Sequence, residues 1–132
     1  MRQINFEGRL KQIHNFTRIQ RHKNIMPMDI DGMIDYGGKY FLFLEGKVEG
    51  TPISTGQRLA LENMVKSHWK AGHPAAALIY FHNTPVTDEV IVSDCNVHYI
   101  YGMKNGRLDW HETLVNIIDA IDKFEKKYIL NQ

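Results

Sequence analysis

Three aspartates in alternation precede an acid and a lysine separated by one residue. The first group is Asp29-Ile30-Asp31-Gly32-Met33-Ile34-Asp35, and the second is Glu45-Gly46-Lys47 at the end of the apolar run Tyr40–Leu44. Side chains alternate along a strand, so Glu45 and Lys47 share one face, and Asp29 and Asp31 share a face of theirs. If Tyr36-Gly37-Gly38-Lys39 turns a hairpin near Gly37-Gly38, Asp31 falls nearly opposite Glu45. Two carboxylates and a lysine then meet at the end of an apolar strand pair. Carboxylates at such a place are costly unless they are paired or hold a metal. A hard divalent cation such as Mg²⁺, or Mn²⁺, would neutralise both while keeping several waters. The lysine beside them would orient, or help deprotonate, a water attacking a phosphodiester. The competing reading is an edge ion pair between Glu45 and Lys47, with the aspartates capping a turn.

The elements that must position these groups follow from hydrophobic spacing. Phe6, Leu10, Ile13 and Phe16 or Thr17 recur as on an amphipathic first helix. Met28 to Val48 reads as the hairpin, its second strand apolar enough to be covered on both faces. Ser54-Thr55-Gly56-Gln57 has the form of a capping box and opens a helix to about Ala71, which Gly72 stops. Leu61, Met64, Val65 and Trp69 form its inward stripe. Ala75–Phe81 is a buried strand. Glu89–Ser93 and Val97–Tyr101 predict a second hairpin turned at Asp94-Cys95-Asn96, and Asn105-Gly106 marks a further turn. Asp109 with Glu112 offers a capping box for a last helix with the stripe Leu114, Ile117, Ile118, Ile121, Phe124 and Tyr128. The expected order is α-β-β-α-β-β-β-α, an α/β fold with a mixed sheet flanked by helices.

Composition sets the frame. The chain has 132 residues, 43% hydrophobic and 23% charged, and reads as one domain spanning 1–132. No apolar run approaches the ~18–20 residues that cross a bilayer, so no membrane partner is expected. The first residues lack the apolar stretch of a signal peptide, and a single cysteine, Cys95, excludes an internal disulfide. The expected address is a reducing cytoplasm. Net charge is +1, but residues 1–28 hold six basic groups against one acid. The other 104 residues hold 10 basic and 14 acidic groups. Arg9, Lys11, Arg18, Arg21 and Lys23 therefore form a basic arm suited to a phosphate backbone, or else a solvated helix face.

The whole arrangement resembles the PD-(D/E)XK nuclease superfamily, and within it small phage-encoded members like Holliday-junction resolvases. The residues that carry the resemblance are Pro27 through Asp31, the apolar strand ending in Glu45-Gly46-Lys47, a helix opening with Gln57, and the strand Ala75–Phe81. It implies a restriction-endonuclease-like sheet and a metal-dependent DNA nuclease leaving 5′-phosphate and 3′-hydroxyl ends. Branched or recombination-intermediate DNA would be the substrate, a symmetric homodimer would suit junction cutting, and a phage-encoded chain would work in the host cytoplasm. It also implies metal ligation by an aspartate and Glu45, with Lys47 catalytic and Gln57 in support. Gln57 equally fits as the third residue of its capping box. Glu7 matches the place of an extra acidic ligand in resolvase-like members, or is a surface glutamate. The literal Pro-Asp pair is absent, because Met28 separates Pro27 from Asp29. A shorter hairpin would choose Asp35 and an Asp-x-x-Gly alignment Asp29, whereas register favours Asp31. A second class of function is a nucleic-acid-binding or interaction module that keeps the fold without turnover.

Other signals are weaker. His68 and His73 straddle a helix end without a partner cluster, and His111-Glu112-Thr113-Leu114-Val115 lacks the second histidine of a metalloprotease motif. The alternating aspartates lack the glycine and glutamate that an EF-hand loop requires. None of these suggests a second chemistry.

Overall fold

The computed structural model describes residues 16–19, 22–24 and 27–130. The expected first helix lies mostly outside them, and so do Glu7, Arg9, Lys11 and Arg21. Arg18 and Lys23 are exposed on two single 3-10 turns, Thr17–Ile19 and His22–Asn24.

Five strands form one mixed sheet in the order β1-β2-β3-β4-β5, where β1 is Gly32–Asp35, β2 Phe41–Val48 and β3 Ala75–His82. Asn96–Lys104 is β4 and Arg107–Asn116 is β5. The β2–β3 pair is parallel and the other three pairs are antiparallel. A parallel pair needs a crossover, and helix α1, Thr55–Lys70, supplies it. Helix α2, Ile117–Glu125, follows β5 and runs into a π-helical turn, Lys126–Leu130. The chain is α/β. Among the described residues no helix is long and apolar enough to cross a membrane.

Each helix covers one face, which is why β2 and β3 read as continuous apolar runs. Phe43, Ala75, Ala77, Ile79 and Tyr101 meet Leu61 and Val65 of α1. Leu42, Ala76, Leu78, Tyr80 and Val97 meet Ile117, Ala120 and Phe124 of α2. Ser54 caps α1 by accepting from the Gln57 amide at 3.2 Å, and Gly72, at φ 85°, lets the chain leave it.

Two sequence expectations fail in the C-terminal half. Glu89–Ser93 is not a strand: Pro85 and Asp88 make a turn, and Val92–Asp94 is a 3-10 turn. Val90 and Val92 still pack on the α2 face, but as loop residues. Nor do Asp109 and Glu112 cap a helix, because both lie in β5. Asn105-Gly106, with φ of 53° and 82°, closes a two-residue hairpin between Lys104 and Arg107. That turn fits the right-handed twist of two long strands, and it outweighs a helical stripe that begins with Leu114, 69% exposed on β5. Helix α2 starts only at Ile117, where Asn116 Oδ1 accepts from the Ile118 amide at 2.8 Å.

One buried charge ties α1 to β5. Glu62 accepts from Arg58 Nη1 and from the Trp110 indole N–H, each at 2.7 Å. Glu62→Ala leaves that indole donor unpaired and should cost about 1–3 kcal/mol. Glu62→Gln, which keeps an acceptor, should cost less. Urea unfolding of both variants with unchanged slope measures the difference.

Candidate active site

The apolar run that buries β2 also fixes which way its last residues face. Phe41, Phe43, Glu45 and Lys47 alternate toward the α1 side, and Leu42, Leu44 and Gly46 toward the α2 side. Gly37 and Gly38, at φ 67° and 77°, make the turn that sets the β1–β2 register. That register pairs Gly32 with Leu44 and Asp35 with Phe41, so the next position along the hairpin sets Asp31 against Glu45.

The three aspartates are thereby separated. Asp35 stays at the turn, where Oδ1 accepts from the Gly38 amide at 2.6 Å. Asp29 is exposed ahead of β1 and acts on Glu45 through its charge. Asp31 sits where the β1 ladder has ended, and its Oδ2 takes over the Gly46 amide at 2.7 Å. Strand pairing is continued by a side chain.

Glu45 is only 6% exposed. Burial, and then the neighbouring Asp31 carboxylate, push its carboxyl up to about 7, while Lys47 and the Asp31 amide pull the other way. Gln57, on the first turn of α1, joins the two halves of the motif. Its Oε1 accepts from Lys47 Nζ, and its Nε2 lies 3.5 Å from Glu45 Oε1. Ser54 Oγ is 3.3 Å from the same Oε1, so the cap residue also steadies the bridge. The capping position of Gln57 and its contact with Lys47 coexist.

A Cβ at Gly46 would lie 2.6–2.8 Å from Cε2, Cζ and the hydroxyl of Tyr80, its partner on β3. Only glycine lets the Tyr80 ring lie against the strand between Glu45 and Lys47. Burial and then Asp31 push the Tyr80 phenol up to about 12. An isolated glycine inside an apolar strand is the sequence signal for such a close approach.

The structure therefore brings together Asp31, Glu45, Lys47 and Gln57. It does not bring Asp35 there, and Glu7 and most of the basic arm lie outside the described residues. Two carboxylates beside each other, one of them held near neutrality, suit a hard divalent cation that favours their ionised forms. Among the described residues, no group of three or more His, Cys, Asp or Glu is placed to hold a metal ion.

Gly46→Ala should overpack against Tyr80 and cost about 1–3 kcal/mol in urea unfolding. In the native state Glu45 binds its proton more tightly than at its ordinary value of 4.5. Its stabilising contribution is thus fully present below about pH 4.5 and is lost as pH rises through about 7. The stability of the wild type relative to Glu45→Gln should fall across that window in metal-free buffer. A flat difference would place the carboxyl in solvent.

Comparisons with protein-family models, with curated proteins and with solved structures found no match for this chain. What the site can do rests on its own geometry.

Proposed function

We propose that the chain is a divalent-metal-dependent deoxyribonuclease of the PD-(D/E)XK kind, built on a restriction-endonuclease-like sheet and acting on branched DNA. The observation that carries this reading is the meeting of the Asp31 and Glu45 carboxylates beside a lysine that Gln57 holds. Asp31 and Glu45 would hold Mg²⁺ or Mn²⁺, with Asp29 and Glu7 as further acids. A cation held there would supply Lewis-acid polarisation of a phosphodiester and lower the pKa of an attacking water. Lys47 orients the attacking water and places positive charge where the phosphorane develops it. Gln57 fixes the Lys47 ammonium and so reduces its rotamer freedom. The exposed Arg18 and Lys23, with Arg9, Lys11 and Arg21, would contact the DNA backbone rather than bases.

A binding module on the same fold is the second reading. It is favoured by the use of Asp31 Oδ2 on the Gly46 amide, a purely structural task.

The test uses purified protein with supercoiled, linear and four-way-junction DNA, with and without Mg²⁺ or Mn²⁺. Cleavage should require the metal. Glu45→Gln and Lys47→Ala should each slow it by at least ~10²-fold. Asp31→Asn should be more damaging than Asp29→Asn, and Asp35→Asn the least so. Mg²⁺ should also raise the melting temperature of the wild type but not of Glu45→Gln. Absence of cleavage on every DNA form with either metal leaves the binding module.

A further inference from the structure

At the same end of the sheet, beyond Lys47, lies a cavity of about 310 Å³. It opens between the end of β3, the loop 83–95 and the start of β4, at the carboxyl ends of the parallel pair β2–β3. The cavity is continuous with the catalytic strand. Glu49, two residues past Lys47, lines it, and the Glu49 amide donates to the His82 carbonyl at 2.9 Å. Phe81, which lines it too, is the β3 partner of Lys47.

Its chemistry differs from that of a phosphate site. Glu49, Glu89 and Asp94 line it, and among the described lining residues there is no lysine or arginine. A phosphate is repelled from the cavity itself. The acids form no metal cage among the described residues. What three carboxylates and the carboxamides of Asn83 and Asn96 can serve is a neutral ring carrying N–H donors. Two aromatic rings line it beside them: those of Phe81 and His98, with centroids 4.8 Å apart. Aromatic faces of this kind stack bases irrespective of sequence. The volume lies at the low end of small-molecule pockets, roughly 300–1,000 Å³, which is room for one base and its sugar but not for a duplex.

We propose that this cavity is a nucleobase subsite, which takes the unpaired base of a nucleotide flanking the phosphate at Lys47. It rests on the nuclease reading for its place in the reaction, and on its own lining for the class of ligand. A base inside a continuous duplex must first be unstacked and unpaired, so branch points, frayed ends and single strands are preferred. Cytosine and adenine offer exocyclic amino donors to the carboxylates, and thymine does not.

The experiment has two arms on the full chain. In the first, deoxycytidine and thymidine, which carry no phosphate, are titrated while the His98 and His82 ring signals are followed by NMR. Deoxycytidine should shift both, several-fold more tightly than thymidine, and Glu89→Gln should weaken it with His98 still reporting. In the second, cleavage is compared between a continuous duplex and the same duplex with one unpaired cytosine beside the cut. His98→Ala should lower cleavage of the unpaired substrate about tenfold more than that of the duplex, as loss of one stacking contact implies. Nucleoside binding at His98 with no cleavage of any DNA supports the base site and overturns the nuclease reading. Absence of shifts at millimolar nucleoside, or equal losses on both substrates in His98→Ala, overturns the base site whether or not DNA is cut.

Discussion

The site depends on a carboxyl group that its surroundings resist ionising. Glu45 lies within β2 just after residues covered on both faces, and it meets a second carboxylate across the hairpin. Burial and like charge both favour its neutral form. Lys47, two residues on, offsets this only in part. A group held so close to neutrality gains most from a cation brought between it and Asp31.

The surrounding structure keeps that unfavourable pair in place. The two-glycine turn sets the register, and the Asp31 bond to the Gly46 amide holds the end of the hairpin where the β1 ladder stops. The Tyr80 ring supports the strand from the opposite face, which is possible only because residue 46 lacks a side chain. From the α1 side, Gln57 contacts both Glu45 and Lys47. The helix that makes the parallel crossover thus also contributes to the site. The acid-lined cavity shares this sheet end through Glu49 and Phe81, so the Asp31–Glu45–Lys47 cluster and a hollow lined by Glu49, Glu89 and Asp94 lie side by side.

How much of this was legible in the sequence depended on whether the signal was local. Counting from Gly37-Gly38 reaches the register that the hairpin has, because a tight turn leaves little freedom in pairing. Ser54 and Gly72 bound α1 through cap chemistry that involves only neighbouring residues. In the C-terminal half two local signals compete. Leu114, Ile117, Ile118 and Ile121 repeat at helical spacing, yet Asn105-Gly106 closes a long hairpin that carries strand structure through Asn116. Val90 and Val92 look like strand residues but pack half-buried outside any strand, where the chain turns on Asp88, Asp94 and Cys95 amides instead of a ladder. The role of Gly46 was not legible from spacing alone, since Tyr80 is 34 residues away and meets it only through the β2–β3 register. The cavity likewise gathers residues from three segments that no motif joins.

Asp31 and Glu45 form one charge-coupled pair whose ionisation a divalent cation would complete. Titration of the Glu45 side-chain carboxyl by carbon NMR, in metal-free and Mg²⁺-containing protein, addresses it most directly. The midpoint should lie at about 7 without metal and move down when Mg²⁺ is added and also when Asp31 is replaced by asparagine. A metal-free midpoint near the ordinary value of 4.5, or one that neither Mg²⁺ nor Asp31→Asn displaces, would contradict it.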